Sequence, residues 1–137
     1  MEQDRMKSMR SFAEAYTAAW CNQDAASVAS FYEENGSLKV NEDAPTVGRE
    51  AITAVAQGFM TAFPDMRVSM DDLVMQDDDV IYHWTLTGTN IGPGGTGRAV
   101  RISGFEVWQI GADRLIANSR GHFDSLDYRR QLEVEQS

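Results

Sequence analysis

The chain changes its hydrophobic period once, at Pro64, and that change limits its fold more than any other feature. Ahead of Pro64, apolar residues recur at steps of three and four. Behind it they alternate. From the N-terminal side, Met6, Met9, Phe12, Ala13, Tyr16, Ala19 and Trp20 fall on one helical face. Cys21-Asn22-Gln23 interrupts that face, and Asp24 is placed to cap a short second helix ending near Phe31-Tyr32. Asn35-Gly36 reads as a turn and Ser37 to Val40 as a short strand. Ile52, Val55, Ala56, Phe59, Met60 and Phe63 mark a third helix, which Pro64 stops. After it, segments near 66–75, 80–90, 99–110 and 114–123 are rich in β-branched and aromatic residues. Turn-forming runs at Asp77-Asp78-Asp79, Gly92-Pro93-Gly94-Gly95 and Gly111-Ala112-Asp113 separate them. Asp124 then caps a last helix through Leu132. Helices first and strands later predict an α+β fold, with a mostly antiparallel sheet that curls around the early helices and encloses a cavity. No repeat or linker divides the 137 residues, so a single domain spanning 1–137 is expected.

Side chains of a strand point to opposite faces in turn, which sorts these segments into inward and outward sets. In the 99–110 segment the more apolar set is Val100, Ile102, Gly104, Glu106, Trp108 and Ile110. Glu106 is the anomaly: a carboxylate in register with residues bound for the interior. Burial raises the pKa of an unpaired carboxyl, and a raised pKa suits a general acid or base working near neutrality. A place at the cavity rim, or pairing with an arginine, would instead make Glu106 structural. The preceding segment turns Tyr82, Trp84, Leu86 and Asn90 inward and His83, Thr85, Thr87 and Thr89 outward. The last strand turns Leu115, Ala117, Ser119, Gly121 and Phe123 inward and leaves Arg120 and His122 outside, provided no bulge reverses the alternation. Tyr16, on the apolar face of the first helix, offers a hydroxyl to a ligand oxygen or satisfies it within the core. Phe12, Trp20, Phe59, Phe63, Trp84 and Trp108 are candidates for pocket wall or core, roles that periodicity does not separate.

Several chemistries find no support. The two histidines, His83 and His122, have no zinc-ligand spacing to Cys21, so no metal is expected. No G-x-S-x-G elbow is present for a serine nucleophile. The glycine-rich run 92–97 lacks the lysine and following helix of a phosphate loop and reads as a hairpin connection. A formal charge of −9 repels phosphate backbones and anionic lipid surfaces, so neither nucleic acid nor membrane is an expected partner. One cysteine, no long apolar run and a polar start to the chain make the cytoplasm the default location.

Several local patterns resemble SnoaL-like polyketide cyclases and ketosteroid isomerase-like proteins of the nuclear-transport-factor-two-like superfamily. Phe31-Tyr32-Glu33-Glu34-Asn35-Gly36-Ser37-Leu38 is similar to the superfamily's passage from second helix to first strand, and Val47-Gly48-Arg49-Glu50-Ala51-Ile52 to its entry into the third helix. Ala62-Phe63-Pro64-Asp65 resembles the Phe-Pro-Asp of SnoaL-like members. Thr87-Gly88-Thr89-Asn90-Ile91-Gly92, His122-Phe123-Asp124 and Gln131-Leu132 complete the order. The resemblance implies a cone-shaped α+β barrel, commonly dimeric through the outer face of its sheet. It also places the cyclases' acid/base aspartate at Gly121 and the isomerases' base near Val40-Asn41, where this chain carries no carboxylate. Tyr16 matches the isomerases' oxyanion-binding tyrosine, and Glu106 falls close to a pocket-lining histidine of the cyclases. Val40, Asn41 and Gly121 therefore join the candidate ligand-binding positions.

The expected function is the binding of a small, largely apolar, oxygenated organic molecule in the cone. Such a protein works either as a cofactor-free isomerase, cyclase or dehydratase or as a non-catalytic ligand-binding or dimerisation module. In the first case Glu106 moves the proton and Tyr16 stabilises the developing enolate oxygen. A homodimer is expected through the nearly uncharged outward face carrying His83, Thr85, Thr87 and Thr89.

Overall fold

A computed structural model describes residues 2–133, with side chains from Met6 onward; the two ends of the expected 1–137 domain, Met1 and 134–137, lie outside the described residues. The helical stripe of the N-terminal segment becomes α1 (Glu2–Cys21), and α2 (Ala25–Ser30) follows. Asp24 caps α2 by accepting a hydrogen bond from the Ser27 amide at 3.1 Å. Next come β1 (Tyr32–Val40), the short β2 (Thr46–Val47) and α3 (Arg49–Ala62). Phe63, the residue before the proline, takes φ −128° and ψ 78°, outside the helical region, and α3 ends there. Four strands succeed one another: β3 (Arg67–Gln76), β4 (Asp79–Thr89), β5 (Ala99–Ile110) and β6 (Ile116–Phe123). Asp124 caps the closing helix α4 (Ser125–Leu132) through the Asp127 amide at 3.0 Å.

The strands form one curved sheet in the order β2-β1-β6-β5-β4-β3. Neighbours run antiparallel except for β1 and β6, which are parallel; β2, α3, β3, β4 and β5 lie between them in the chain. The early helices close the concave face. An aromatic cluster lies where they meet the sheet: Tyr82 stacks on Trp108 at 4.8 Å between centroids, and Tyr16 of α1 stands edge-on to both at 5.5 and 5.1 Å. All three are buried. The expected fold class, α+β with a mostly antiparallel curved sheet around N-terminal helices, is the one observed.

Two local readings are corrected and one short strand is added. Asn35-Gly36 is no turn; it lies inside β1, at a register irregularity between Tyr32 and Ser37. A Cβ at Gly36 would stand 2.8 Å from the Ile116 carbonyl oxygen, so glycine serves the close approach of β6 there. The two-residue β2, too short to carry a pattern, was not foreseen. In β6 a bulge at Ala117 breaks the pairing between Gln109↔Asn118 and Ile110↔Ile116. Ile116, not Leu115 or Ala117, is therefore the buried residue before the bulge, while Ser119, Gly121 and Phe123 keep their inward places beyond it.

Candidate functional site

Between the helices and the concave face of the sheet lies a cavity of about 80 Å³ with walls that are almost wholly apolar. Trp20 of α1 with Val55 and Phe59 of α3 form its helical side. Leu38 and Val40 of β1, Val68 of β3 and Leu86 of β4 join Ile102, Gly121 and Phe123 on the strand side. Tyr16, Tyr82, Trp84 and Glu106 complete the lining and bring the polar atoms.

Glu106 sits on β5 opposite Tyr82 of β4 and Gly121 of β6. Its Oε1 accepts three hydrogen bonds: from Tyr16 O–H at 3.0 Å, from Trp108 Nε1 at 2.9 Å and from the buried Ser119 hydroxyl at 3.1 Å. Among the described residues no donor reaches Oε2. Nor is there a cation beside it, because the ion pairs found there join Arg120 with Asp79 and Arg130 with Asp127 on the surface. Glu106 is thus a carboxyl anchored by neutral donors through one oxygen, with the other left to the cavity. Burial pushes its pKa upward, and the three donors, which favour the charged form, offset that rise only in part. The surface Glu106 retains belongs to the cavity rather than to the exterior, so partial exposure and strong desolvation coexist.

The donors settle the roles of the tyrosines. Tyr16 spends its only proton on Glu106, so Tyr32 must donate in their 3.0 Å contact. Thr17 donates to the Ala13 carbonyl, and the Tyr82 hydroxyl therefore donates to Thr17 Oγ1. Burial raises all three tyrosine pKa values, and the Glu106 charge raises them further. Tyr16 is completely enclosed, its hydroxyl committed to the carboxylate. It orients Glu106 instead of presenting a free hydroxyl to a ligand.

Of the positions singled out from sequence, Glu106, Tyr16, Trp20, Val40, Phe59, Trp84 and Gly121 line the cavity. The other four do not. Phe12 packs edge-on against Phe31 and Trp108. Asn41 takes a left-handed φ of 50°, and its Oδ1 accepts from the Phe123 amide, fixing the end of β6. Phe63 is buried against Tyr128, and Trp108 lies behind Glu106, holding it. Sequence reasoning left Ser119 and Tyr32 out of the site. Ser119 carried a usable signal, as a hydroxyl on the inward face of β6 opposite Trp108. Tyr32 carried none, because the strand that holds it begins five residues before its apolar pattern does. Among the described residues no group of three or more His, Cys, Asp or Glu side chains is placed to hold a metal ion, and no helix is long and apolar enough to cross a membrane.

The SnoaL-like polyketide cyclase family profile matches residues 10–132. No curated protein sequence gives a significant match. Among solved structures, a hypothetical protein of ketosteroid isomerase-like fold from Catenulispora acidiphila, in complex with trimethylamine, superposes with a TM-score of 0.78 at 14% identity, over 90% of this chain and 93% of that one. TsrD from Streptomyces laurentii gives 0.78 at 22% identity over 92% and 95% of the two chains. TerC, co-crystallised with polyporic acid, gives 0.76 at 16% identity over 90% and 97%. At these identities the likeness is one of fold.

Proposed function

The chain belongs to the SnoaL-like polyketide cyclase family, and from that premise we propose that it binds a small, largely apolar, oxygenated organic molecule in the cavity and exchanges a proton with it through Glu106. One observation carries the reading: in an otherwise apolar cavity, a single carboxyl has three donors on Oε1 and none on Oε2. An ionised carboxyl carries acceptor sites on both of its oxygens. Here the second oxygen is left for an occupant, and the raised pKa brings proton gain and loss closer to neutral pH. Tyr16, Trp108 and Ser119 hold the carboxyl still, and Tyr32 steadies Tyr16. No step of this proton transfer calls for a cofactor. TerC was co-crystallised with polyporic acid and the Catenulispora protein is in complex with trimethylamine, which is consistent with small organic ligands for this fold.

A non-catalytic binding role has one observation in its favour. Val40, Asn41 and Gly121, where the family resemblance places carboxylates, supply none, so Glu106 would work without a second ionised group. Native mass spectrometry of the protein as purified tests the shared premise. The expected result is a retained organic molecule containing oxygen, lost or reduced in Glu106→Gln. A bare chain that takes up no oxygenated aromatic or alicyclic compound on titration would overturn it.

A further inference from the structure

Glu106 Oε2 is the side-chain acceptor of the cavity wall that is left without a hydrogen bond. The Tyr16 hydroxyl gives its proton to Oε1, and the Tyr82 hydroxyl gives its own to Thr17. Trp84 Nε1 also lacks a partner, but it is a donor and is closed off; Oε2 is not enclosed. An ionised carboxyl amid apolar walls is costly until a cation meets it, and the ion pairs among the described residues lie on the surface. The rest of the wall suits a weakly hydrated organic cation. Tyr16, Trp20, Phe59, Tyr82, Trp84 and Phe123 all line the cavity. Neighbouring rings meet steeply, at 79° between Tyr16 and Trp20, 69° between Trp20 and Phe59 and 66° between Trp84 and Phe123. Rings so inclined form adjoining walls of a box, and aromatic faces attract cations through their quadrupole. Donor count then selects the kind of cation. A primary ammonium brings three N–H donors and a hard metal ion needs several oxygen ligands, whereas the cavity offers one free oxygen. A tertiary ammonium brings a single N–H, and its alkyl groups match the apolar walls. The volume agrees: about 80 Å³, against the ~150 Å³ of a cavity that takes benzene, fits a compact branched head.

We propose that the cavity binds the protonated head of a small tertiary alkylamine, whose one N–H donates to Glu106 Oε2 while its alkyl groups rest against the aromatic walls. Such binding goes beyond the reading above, because it needs only the cavity and its free oxygen and no proton exchange with an oxygenated molecule. An amine that arrives neutral takes the carboxyl proton. The O–H bond breaks, the N–H bond forms, and the ion pair is the one reached from ammonium and carboxylate. Three donors already hold Oε1, so the carboxylate stays oriented and the amine meets Oε2 alone. An oxygenated occupant and an amine compete for this oxygen.

The test titrates three probes of similar size at neutral pH by ligand-observed NMR: N,N-dimethylethylamine, its primary isomer butylamine, and the neutral methyl isopropyl ketone. Wild type should bind the tertiary amine severalfold more tightly than either of the others. Glu106→Gln keeps an acceptor for the three inner donors, and it should weaken the tertiary amine about tenfold or more, as loss of a charged hydrogen bond does, while the ketone changes far less. Phe59→Leu should weaken the tertiary amine about threefold or more through loss of an aromatic face and leave the ketone nearly unaffected. Butylamine binding as tightly as its tertiary isomer, or Glu106→Gln weakening amine and ketone equally, would overturn the amine inference. Uptake of the ketone without the amine would overturn it too and leave the oxygenated-ligand reading standing. Uptake of no probe would overturn the amine inference alone, since the oxygenated-ligand reading answers to native mass spectrometry.

Discussion

Three donors aimed at one oxygen define the site at the scale of single residues. Removing the acceptor is costly, because Glu106→Ala would strand the Tyr16, Trp108 and Ser119 donors beneath an apolar cavity. The expected loss is on the order of 3 kcal/mol in denaturant unfolding, and a loss below about 1 kcal/mol would mean that water replaces the carboxyl without penalty. Two inward glycines flank this residue and should behave oppositely. A Cβ at Gly104 would stand 2.3 Å from the His122 carbonyl oxygen, whereas at Gly121 the nearest atoms would be the Lys39 carbonyl oxygen at 3.4 Å and Glu106 Cγ at 3.7 Å. Gly104→Ala should therefore destabilise by about 1–3 kcal/mol through overpacking. Gly121→Ala should be neutral or stabilising by up to about 1 kcal/mol. Thermal melts showing equal effects would contradict the packing described here.

Most of the element pattern was legible because period and punctuation agree. Asp24, Pro64 and Asp124 each act locally, and the bounds of α2, α3 and α4 follow from them. The turn at Asn35-Gly36 was misread because a residue pair favourable for turns also suits a strand irregularity, and only the partner strand decides between them. The bulge at Ala117 likewise depends on pairing with β5. Glu106 was legible as a polar residue on an apolar face. The commitment of the Tyr16 proton and the isolation of Trp84 Nε1 were not, since both depend on contacts between residues distant in sequence. The Phe-Pro-Asp turn shows how an element junction is secured. Asp65 accepts from the Thr89 amide at 2.7 Å and from its hydroxyl at 2.8 Å, tying the exit of α3 to the end of β4. Those bonds, the amide's first, lower the Asp65 pKa. Its stabilising contribution is then present above the unfolded-state value and lost as pH falls through the folded one. Asp65→Ala should lower the melting temperature at neutral pH and make little difference at the acid end, a convergence that calorimetry at two pH values would reveal or refute.

At the scale of the whole molecule, the sheet has two faces of different character. The concave face encloses the cavity. On the convex face Phe105, partly exposed, stacks on His122 at 5.0 Å and lies near His83 at 5.9 Å, beside a Thr85–Ser103 hydroxyl contact of 2.7 Å. We expect this face to pair with a second copy. Light scattering at micromolar concentration should give twice the chain mass, Thr85→Lys or Arg101→Glu should weaken the dimer, and a wild-type monomer would defeat the expectation. The central claim, that Glu106 is an unpaired carboxyl facing an apolar cavity, also has a global signature. A raised carboxyl pKa means that the native state keeps its proton longer than the unfolded chain, whose glutamates titrate near about 4.3. The associated stability is complete below that value and declines as pH rises through the folded pKa. Glu106→Gln keeps an acceptor for the three donors and cannot ionise. The deciding measurement is the unfolding free energy of wild type and Glu106→Gln from pH 4 to 8. Wild type should lose stability relative to the variant as pH rises, ending equal or less stable at neutrality. A wild type that gains on the variant over the same range would show Glu106 to be a stabilised anion with a structural role, and would contradict it.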